Sequence, residues 1–227
     1  MSVSKITGVL FILMPIAFNL IFFLLQRTFE YPQILRKPAD YILRTFSERR
    51  TRLIPLWYSF MFTGLLFILA GVLAPQVIAP DDSLLVILAT TLAVLAGLVQ
   101  VLGLIRWPFV VPYLAKEYVD PSTTEASRES IVVVFQALHR YAGVAIGEHL
   151  GYLFTALWTI LIGIMLIRSP LFPDWIGWIA LIPALGILIG LLEEAGMAVA
   201  GSLNAIGYFV WSVWLIIVGL LMLGIQG

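Results

Sequence analysis

The sequence predicts an all-α integral membrane bundle of about six transmembrane helices, the third and fourth extended on the cytoplasmic side. Two observations predict it. Of 227 residues, 61% are hydrophobic and only 11% charged. A soluble domain carries about 25% charged residues, so polar side chains cannot cover this chain's apolar surface and its solvent has to be lipid. Second, six stretches are apolar for the roughly 20 residues a spanning helix needs: 5–26, 53–74, 84–105, 148–167, 175–193 and 204–224. The whole chain, 1–227, reads as a single transmembrane helical domain.

Taken in order, the first segment has a long apolar run and no small-x-small cleavage site after it. It reads as a retained helix, not a secretory signal. The connection that follows, 27–52, is basic, with Arg27, Arg36, Lys37, Arg44, Arg49, Arg50 and Arg52. Inside it, PADYILRTFSERRTRL (38–53) spaces Ile42, Leu43 and Phe46 helically. That predicts an interfacial helix whose arginines meet anionic headgroups, worth about 1 kcal/mol each. The same charges are what the positive-inside rule requires for topology alone. Arg106, Lys116, Arg128 and Arg140 fall between the third and fourth spans, leaving only Lys5 and Arg168 at the other end. The expected placement is a multi-pass protein of the cell (inner) membrane, with long basic loops cytoplasmic and termini outside. The opposite loops, near 74–83 and 168–175, are short and rich in Pro and Asp, which end helices and start turns.

The third and fourth elements stay apolar past the membrane boundary, through LIRWPFVVPYLA (104–115) and IVVVFQALHRYAGVAI (131–146). Helices of about 32 and 38 residues would be roughly 48 and 57 Å long, against about 30 Å of hydrocarbon. Either both project inward and pack on the 38–53 helix, or 131–147 breaks at Gly143, Gly147 or Gly151 and re-enters as a seventh segment. No Pro, Asn or Asp marks a turn there, which favours one long or kinked helix. Pro108 and Pro112 predict a kink in the third.

Several function classes are excluded or weakened. The chain has no cysteine, hence no disulfide or thiol nucleophile. Its two histidines, His139 and His149, have no zinc spacing, so no metal site is expected. They lie about 15 Å apart along one helix and cannot clasp one haem; the cofactor is left unknown. There is no phosphate loop, no GxSxG elbow and no basic stripe for nucleic acid.

The polar residues share a depth. Counting about twenty residues inward from the far ends of four spans reaches Arg106, Glu148, Glu194 and Asn204. Antiparallel pairing of the third and fourth helices sets Arg106 level with His139–Tyr141 and Gln100 near Ala145 and Glu148. At α-helical spacing Tyr141, Glu148, Tyr152, Thr155 and Thr159 form one stripe. A ridge of Gly143, Gly147 and Gly151 lies about 100° round the helix, suited to close packing. Gly186 and Gly190 make a second small-residue patch, and Asn204, Tyr208 and Trp211 share a face of the sixth span. A carboxylate at membrane depth is costly, so Glu148 is expected to pair with Arg106 or Arg140, or to be protonated. The expected ligand-binding residues are Arg106, Trp107, Arg140, Tyr141, Glu148, Tyr152, Asn204, Tyr208 and Trp211. The candidate catalytic residues are Glu148, His149 and Glu194. Blander readings exist: Arg106–Trp107 as an interfacial anchor, His149 as a packed histidine, Glu193–Glu194 as a solvated helix end.

In the second half, R-x-P in IRWPF, H-x-Y-x-G and G-E-x-L-G-Y in LHRYAGVAIGEHLGY, the following LWT, RSPLFPDW at 168–175 and N-x-x-G-Y-x-x-W at 204–211 form a pattern. Over roughly residues 84–225 it resembles the bacterial membrane proteins of domain of unknown function 4386. The resemblance implies a small polytopic helical bundle in the cell membrane. It brings no activity and no site residue.

Three functions fit. The first is binding or transport of an amphipathic small molecule or lipid at a charged cytoplasmic-side pocket. The second is a membrane-embedded enzyme with Glu148 as acid or base, His149 or Glu194 as partner, and Arg106 as an anion clamp. The third is a non-catalytic accessory or structural subunit. Expected partners are membrane lipids, an amphipathic ligand and further copies of the chain through the glycine-ridge helices, with no nucleic acid.

Overall fold

The computed structural model describes residues 2–225. Six apolar helical rods, long enough to cross a membrane, run Val3–Phe29, Arg50–Ile78, Ser83–Val119, Glu125–Arg168, Asp174–Leu192 and Ala200–Gly224. Together with the all-helical element order among the described residues, they make a polytopic membrane bundle, as the composition requires.

α1 (Val3–Phe29) starts where the Ser2 side chain accepts the Lys5 N–H, and ends at Glu30, whose φ is 54°. A short 3₁₀ turn, Gln33–Arg36, and α2 (Ala39–Glu48) lead into α3 (Arg50–Ile78). The Arg49 guanidinium donates to Thr28 O at 2.6 Å, satisfying an orphan carbonyl at the α1 C-terminus where a cation also meets the helix dipole. The third rod is two helices, α4 (Ser83–Leu104) and α5 (Arg106–Val119). They meet at Ile105, one turn before Pro108, where the proline ring crowds the carbonyl four residues back. The helix is interrupted where the sequence predicts a kink, though Ile105 keeps helical dihedrals and its N–H still bonds Val101 O.

The fourth rod is continuous, so the re-entrant alternative is not what forms. α6 (Glu125–Leu138) passes into a π-helical segment, His139–Leu150, and then into α7 (Gly151–Arg168). The fifth rod is α8 (Asp174–Ile179), α9 (Leu181–Ile189) and a closing 3₁₀ turn. It breaks at Ala180, where Pro183 cannot continue the ladder. After a loop turning at Gly196 (φ 93°), α10 (Ala200–Gly224) crosses last.

The surplus apolar length of the third and fourth rods is covered by α2. Ile42, Leu43 and Phe46 are buried in a cluster with Trp57, Trp107, Val111, Leu114 and Phe135. Trp57 and Trp107 stack at 4.6 Å and 7°. Of the two fates for that length, packing on the 38–53 helix is the one realised. The apolar face of α2 therefore meets protein, and the surface-lying helix is corrected to a packed one. A second cluster, toward the end with the short loops, is built on Phe11, Phe67, Trp158, Trp211 and Trp214.

The glycine ridges pack within the chain. A methyl on Gly103 would lie 2.5 Å from Gly147 Cα, one on Gly186 would lie 2.9 Å from Gly207 Cα, and one on Gly8 would lie 2.7 Å from Gly219 O. These close approaches clamp α4 to the π segment, α9 to α10 and α1 to α10, as small-residue interfaces in membranes do.

Candidate functional site

The break at Ile105 positions Arg106, the first residue of α5. It is only 7% exposed. Its guanidinium folds back so that Nη1 donates to Gly103 O, Nη2 faces His139 Nδ1 at 3.5 Å, and the planar group lies over Trp107 at 5.1 Å. It rests on Gly143, where any Cβ would strike the guanidinium. Among the described residues its Nε has no hydrogen-bond partner, and no carboxylate forms an ion pair with it. A buried arginine lacking a counter-carboxylate is an expensive arrangement.

The carboxylate of Glu148 goes elsewhere. Arg36, closing the 3₁₀ turn, bridges two acids: Nη2 lies 3.1 Å from Glu148 Oε2 and 2.8 Å from Glu193 Oε1, and Nε donates to Glu193 at 2.9 Å. Burial works against the Arg36 charge, but the two carboxylates more than offset it and hold the guanidinium above its ordinary pKa. Glu148 pairs with neither of its expected partners; Arg140 instead reaches Glu194 at 2.9 Å on the exposed surface. Beside this cluster stands Tyr31, whose phenol burial pushes far up the scale, ahead of the effect of Glu148. It is a neutral aromatic wall.

The π segment decides which side chains meet. Its wider turn advances the chain by less than the 100° per residue of an α-helix. Seven residues then no longer return to one face. Gly143, Gly147 and Glu148 come to line one cavity with Gly151 and Tyr152, while Tyr141 swings out and is 69% exposed. The cavity measures about 700 Å³. At the end with the long loops its wall carries Arg36, Arg106, Glu148 and Glu193; further along the helices come Gln100, Asn204, Tyr152 and Thr155, then Phe18, Phe60 and Tyr208. One end is charged, the other aromatic. Phe18 and Tyr152 approach Tyr208 at 6.0 and 5.9 Å.

Of the residues predicted as ligand-binding, Arg106, Trp107, Glu148, Tyr152, Asn204 and Tyr208 line this cavity. Asn204 also ties two helices, donating from Nδ2 to Ile187 O at 2.9 Å. Arg140, Tyr141 and Trp211 do not line it. Trp211 is buried in the apolar core and donates from Nε1 to Thr159 Oγ1 at 2.8 Å, so the polar stripe goes dry beyond Thr155. Of the catalytic candidates, Glu148 lines both the main cavity and a small adjoining crevice, while His149 and Glu194 line only the crevice.

Sequence reasoning missed Arg36, Glu193 and Tyr31. Arg36 was absorbed into the topology-setting charges. The available signal was PQILRKP, residues 32–38, in which Ile34 and Leu35 are both buried: an apolar pair between two prolines inside a basic loop marks a packed turn.

A family model for a domain of unknown function, DUF4386, matches residues 6–219. The chain belongs to this family. The match extends well before residue 84, where the resemblance in the second half began, and takes in α1 and α3. No curated protein and no solved structure matches the chain. The family description carries no activity, so function rests on the cavity.

Proposed function

We propose that this protein binds, and in that way stores or moves, an amphipathic small molecule or lipid. One observation carries the reading: a single cavity of about 700 Å³ joins a cluster of four charged side chains to an aromatic recess. That volume lies within the range of small-molecule sites, which are mostly apolar with a few convergent polar groups. Charged side chains at membrane depth are functional candidates by default. The head group would sit among Arg36, Arg106 and Glu148, and the tail against Phe18, Phe60 and Tyr208. The lysine and arginine bias supports a cytoplasmic position for the charged end, in the cell membrane.

Native mass spectrometry on gently extracted protein tests this, comparing wild type with Glu148→Gln. An adduct held by the wild type and reduced in the variant supports the site. Bare protein in both, with the variant merely less stable, moves the charges to a purely structural role.

A second reading, a membrane-embedded enzyme, is supported by Glu148 itself, a carboxylate lining the cavity with its Oε2 held by Arg36. Within the main cavity its acid–base partner would have to be another lining group, since His149 and Glu194 meet Glu148 only in the small adjoining crevice. Turnover lost in Glu148→Gln with the adduct retained would favour it.

A further inference from the structure

The cavity has a side wall as well as a charged end. α1 and α10 run antiparallel and are clamped along their far halves: Ser4 Oγ donates to Met222 O at 2.6 Å, and Asn19 Nδ2 donates to Ser212 Oγ at 2.8 Å. Between these bonds lies the Gly8–Gly219 approach. Past Asn19 and Ser212 the clamp ends. Equal steps from the Gly8–Gly219 approach set Phe22 level with Ala205 and Gln26 within one residue of Ser202. All four residues line the cavity, as do Phe23 and Phe209. The space therefore comes between the two helices. Gln26, Ser202 and Ala205 are exposed, and Phe23 and Phe209 are 46% and 62% exposed. These residues lie toward the long-loop ends of two rods long and apolar enough to span a membrane, and because they both line the cavity and are exposed, the cavity opens to the surface between α1 and α10. Its inner end holds the one buried guanidinium described above with a free Nε and no carboxylate.

We infer that the cavity is loaded sideways from the bilayer, through the cleft between α1 and α10, and that its occupant is a membrane lipid whose anionic head group is received by Arg106. The inference rests on the binding reading and gives it a ligand class and a route. Geometry links the two parts. A lipid-facing slit admits an acyl or isoprenoid chain without moving it through water. An anionic phosphate or carboxylate drawn in with the chain meets the Arg106 fork, the side-chain type suited to bidentate anion contacts. Arg36 is already paired with Glu148 and Glu193, which leaves Arg106, among the described residues, as the lining arginine without a counter-carboxylate. Arg106's bond to Gly103 O uses one donor of five, so a role in capping α4 leaves donors for a ligand.

Because the chain has no cysteine, the cleft can be tied by Gln26→Cys with Ser202→Cys and a reducible bifunctional thiol reagent. The protein is placed in nanodiscs of phosphatidylglycerol and phosphatidylcholine, then moved to nanodiscs of deuterated lipid. Native mass spectrometry follows the retained adduct. The expected result is one retained phosphatidylglycerol, exchanged about tenfold or more slowly when the cleft is tied, with the rate restored on reduction. Restoration shows that the tied protein is folded. Arg106→Gln should abolish the preference for phosphatidylglycerol over phosphatidylcholine, and Arg106→Lys should restore part of it. Equal exchange with the cleft tied or free overturns the sideways route while leaving the binding reading intact. Equal retention of both lipids by the wild type, or capture of inorganic phosphate in place of lipid, overturns the ligand class. No adduct under any condition overturns the binding reading as well.

Discussion

Two single-methyl substitutions, Gly103→Ala and Gly143→Ala, should behave differently although they probe neighbouring contacts of the same helix pair. On Gly103 the new methyl lies 2.5 Å from Gly147 Cα and 3.1 Å from Ala142 O. Both are backbone atoms, so only separation of α4 from the π segment relieves the clash. Overpacking of this kind costs about 1–3 kcal/mol, and each 1.4 kcal/mol is about tenfold in the folding equilibrium. On Gly143 the nearest atoms the methyl meets all belong to the Arg106 guanidinium, the far end of a flexible side chain that can swing toward the cavity. The stability cost should stay below about 1 kcal/mol, but Arg106 loses its seat over Trp107 and beside His139. Detergent-titrated unfolding followed by tryptophan fluorescence gives the first quantity, and retained anionic lipid gives the second. Gly103→Ala should lose stability. Gly143→Ala should keep stability and lose lipid. Equal destabilisation by both would refute the reasoning, because Arg106 would then be a fixed wedge in the helix contact. Two neutral substitutions would refute the helix register itself.

The remaining predictions concern the charge cluster and the two apolar cores. Arg36→Gln leaves Glu148 and Glu193, which are 19% and 29% exposed, facing one another without their cation; between the costs of exposed and buried pairs this should lose about 1–3 kcal/mol, and a charge-reversed double variant placing Glu at 36 and Arg at 148 should recover part of it in the same unfolding assay. Trp57→Ala removes one face of the stack with Trp107 and should cost about 3–5 kcal/mol, read as an early thermal transition. Trp211→Phe removes the bond to Thr159 and should cost about 1 kcal/mol with no change in retained ligand, since Trp211 lies outside the cavity wall; a lost adduct would show that the aromatic recess extends deeper than Tyr208.

The bundle was legible because the membrane forces one solution: apolar stretches of spanning length must be helices with every backbone group satisfied internally. The surplus length of the third and fourth rods followed from the same arithmetic, and the interruption before Pro108 from the proline ring and its missing N–H. Counting along the helices also brought Arg106, Glu148 and Asn204 to one level, and all three line the cavity. Faces were less so. The stripe joining Tyr141 to Glu148 assumed α-helical winding, and the π segment His139–Leu150 turns Tyr141 outward and brings Gly143 and Gly147 to the cavity. Trp211 kept its predicted face beside Asn204 and Tyr208, but α7 closes against it and makes it core. Arg36 was beyond reach for a different reason. Its partners lie 112 and 157 residues away in sequence, and the local signal in PQILRKP marks a packed turn without naming what Arg36 meets. The pairing of Glu148 thus depends on how the 30–38 turn folds back over the bundle, a tertiary fact with no periodic signature.

A ligand held head-first at Arg106 is the central expectation for the cavity. A density map of the protein in nanodiscs of its native lipid tests this most directly. The expected map shows one elongated feature, its head within hydrogen-bond distance of the Arg106 guanidinium and its tail between Phe18, Phe60 and Tyr208. A cavity holding only separate water-sized features, or one closed by α1 meeting α10 along its whole length, would contradict it.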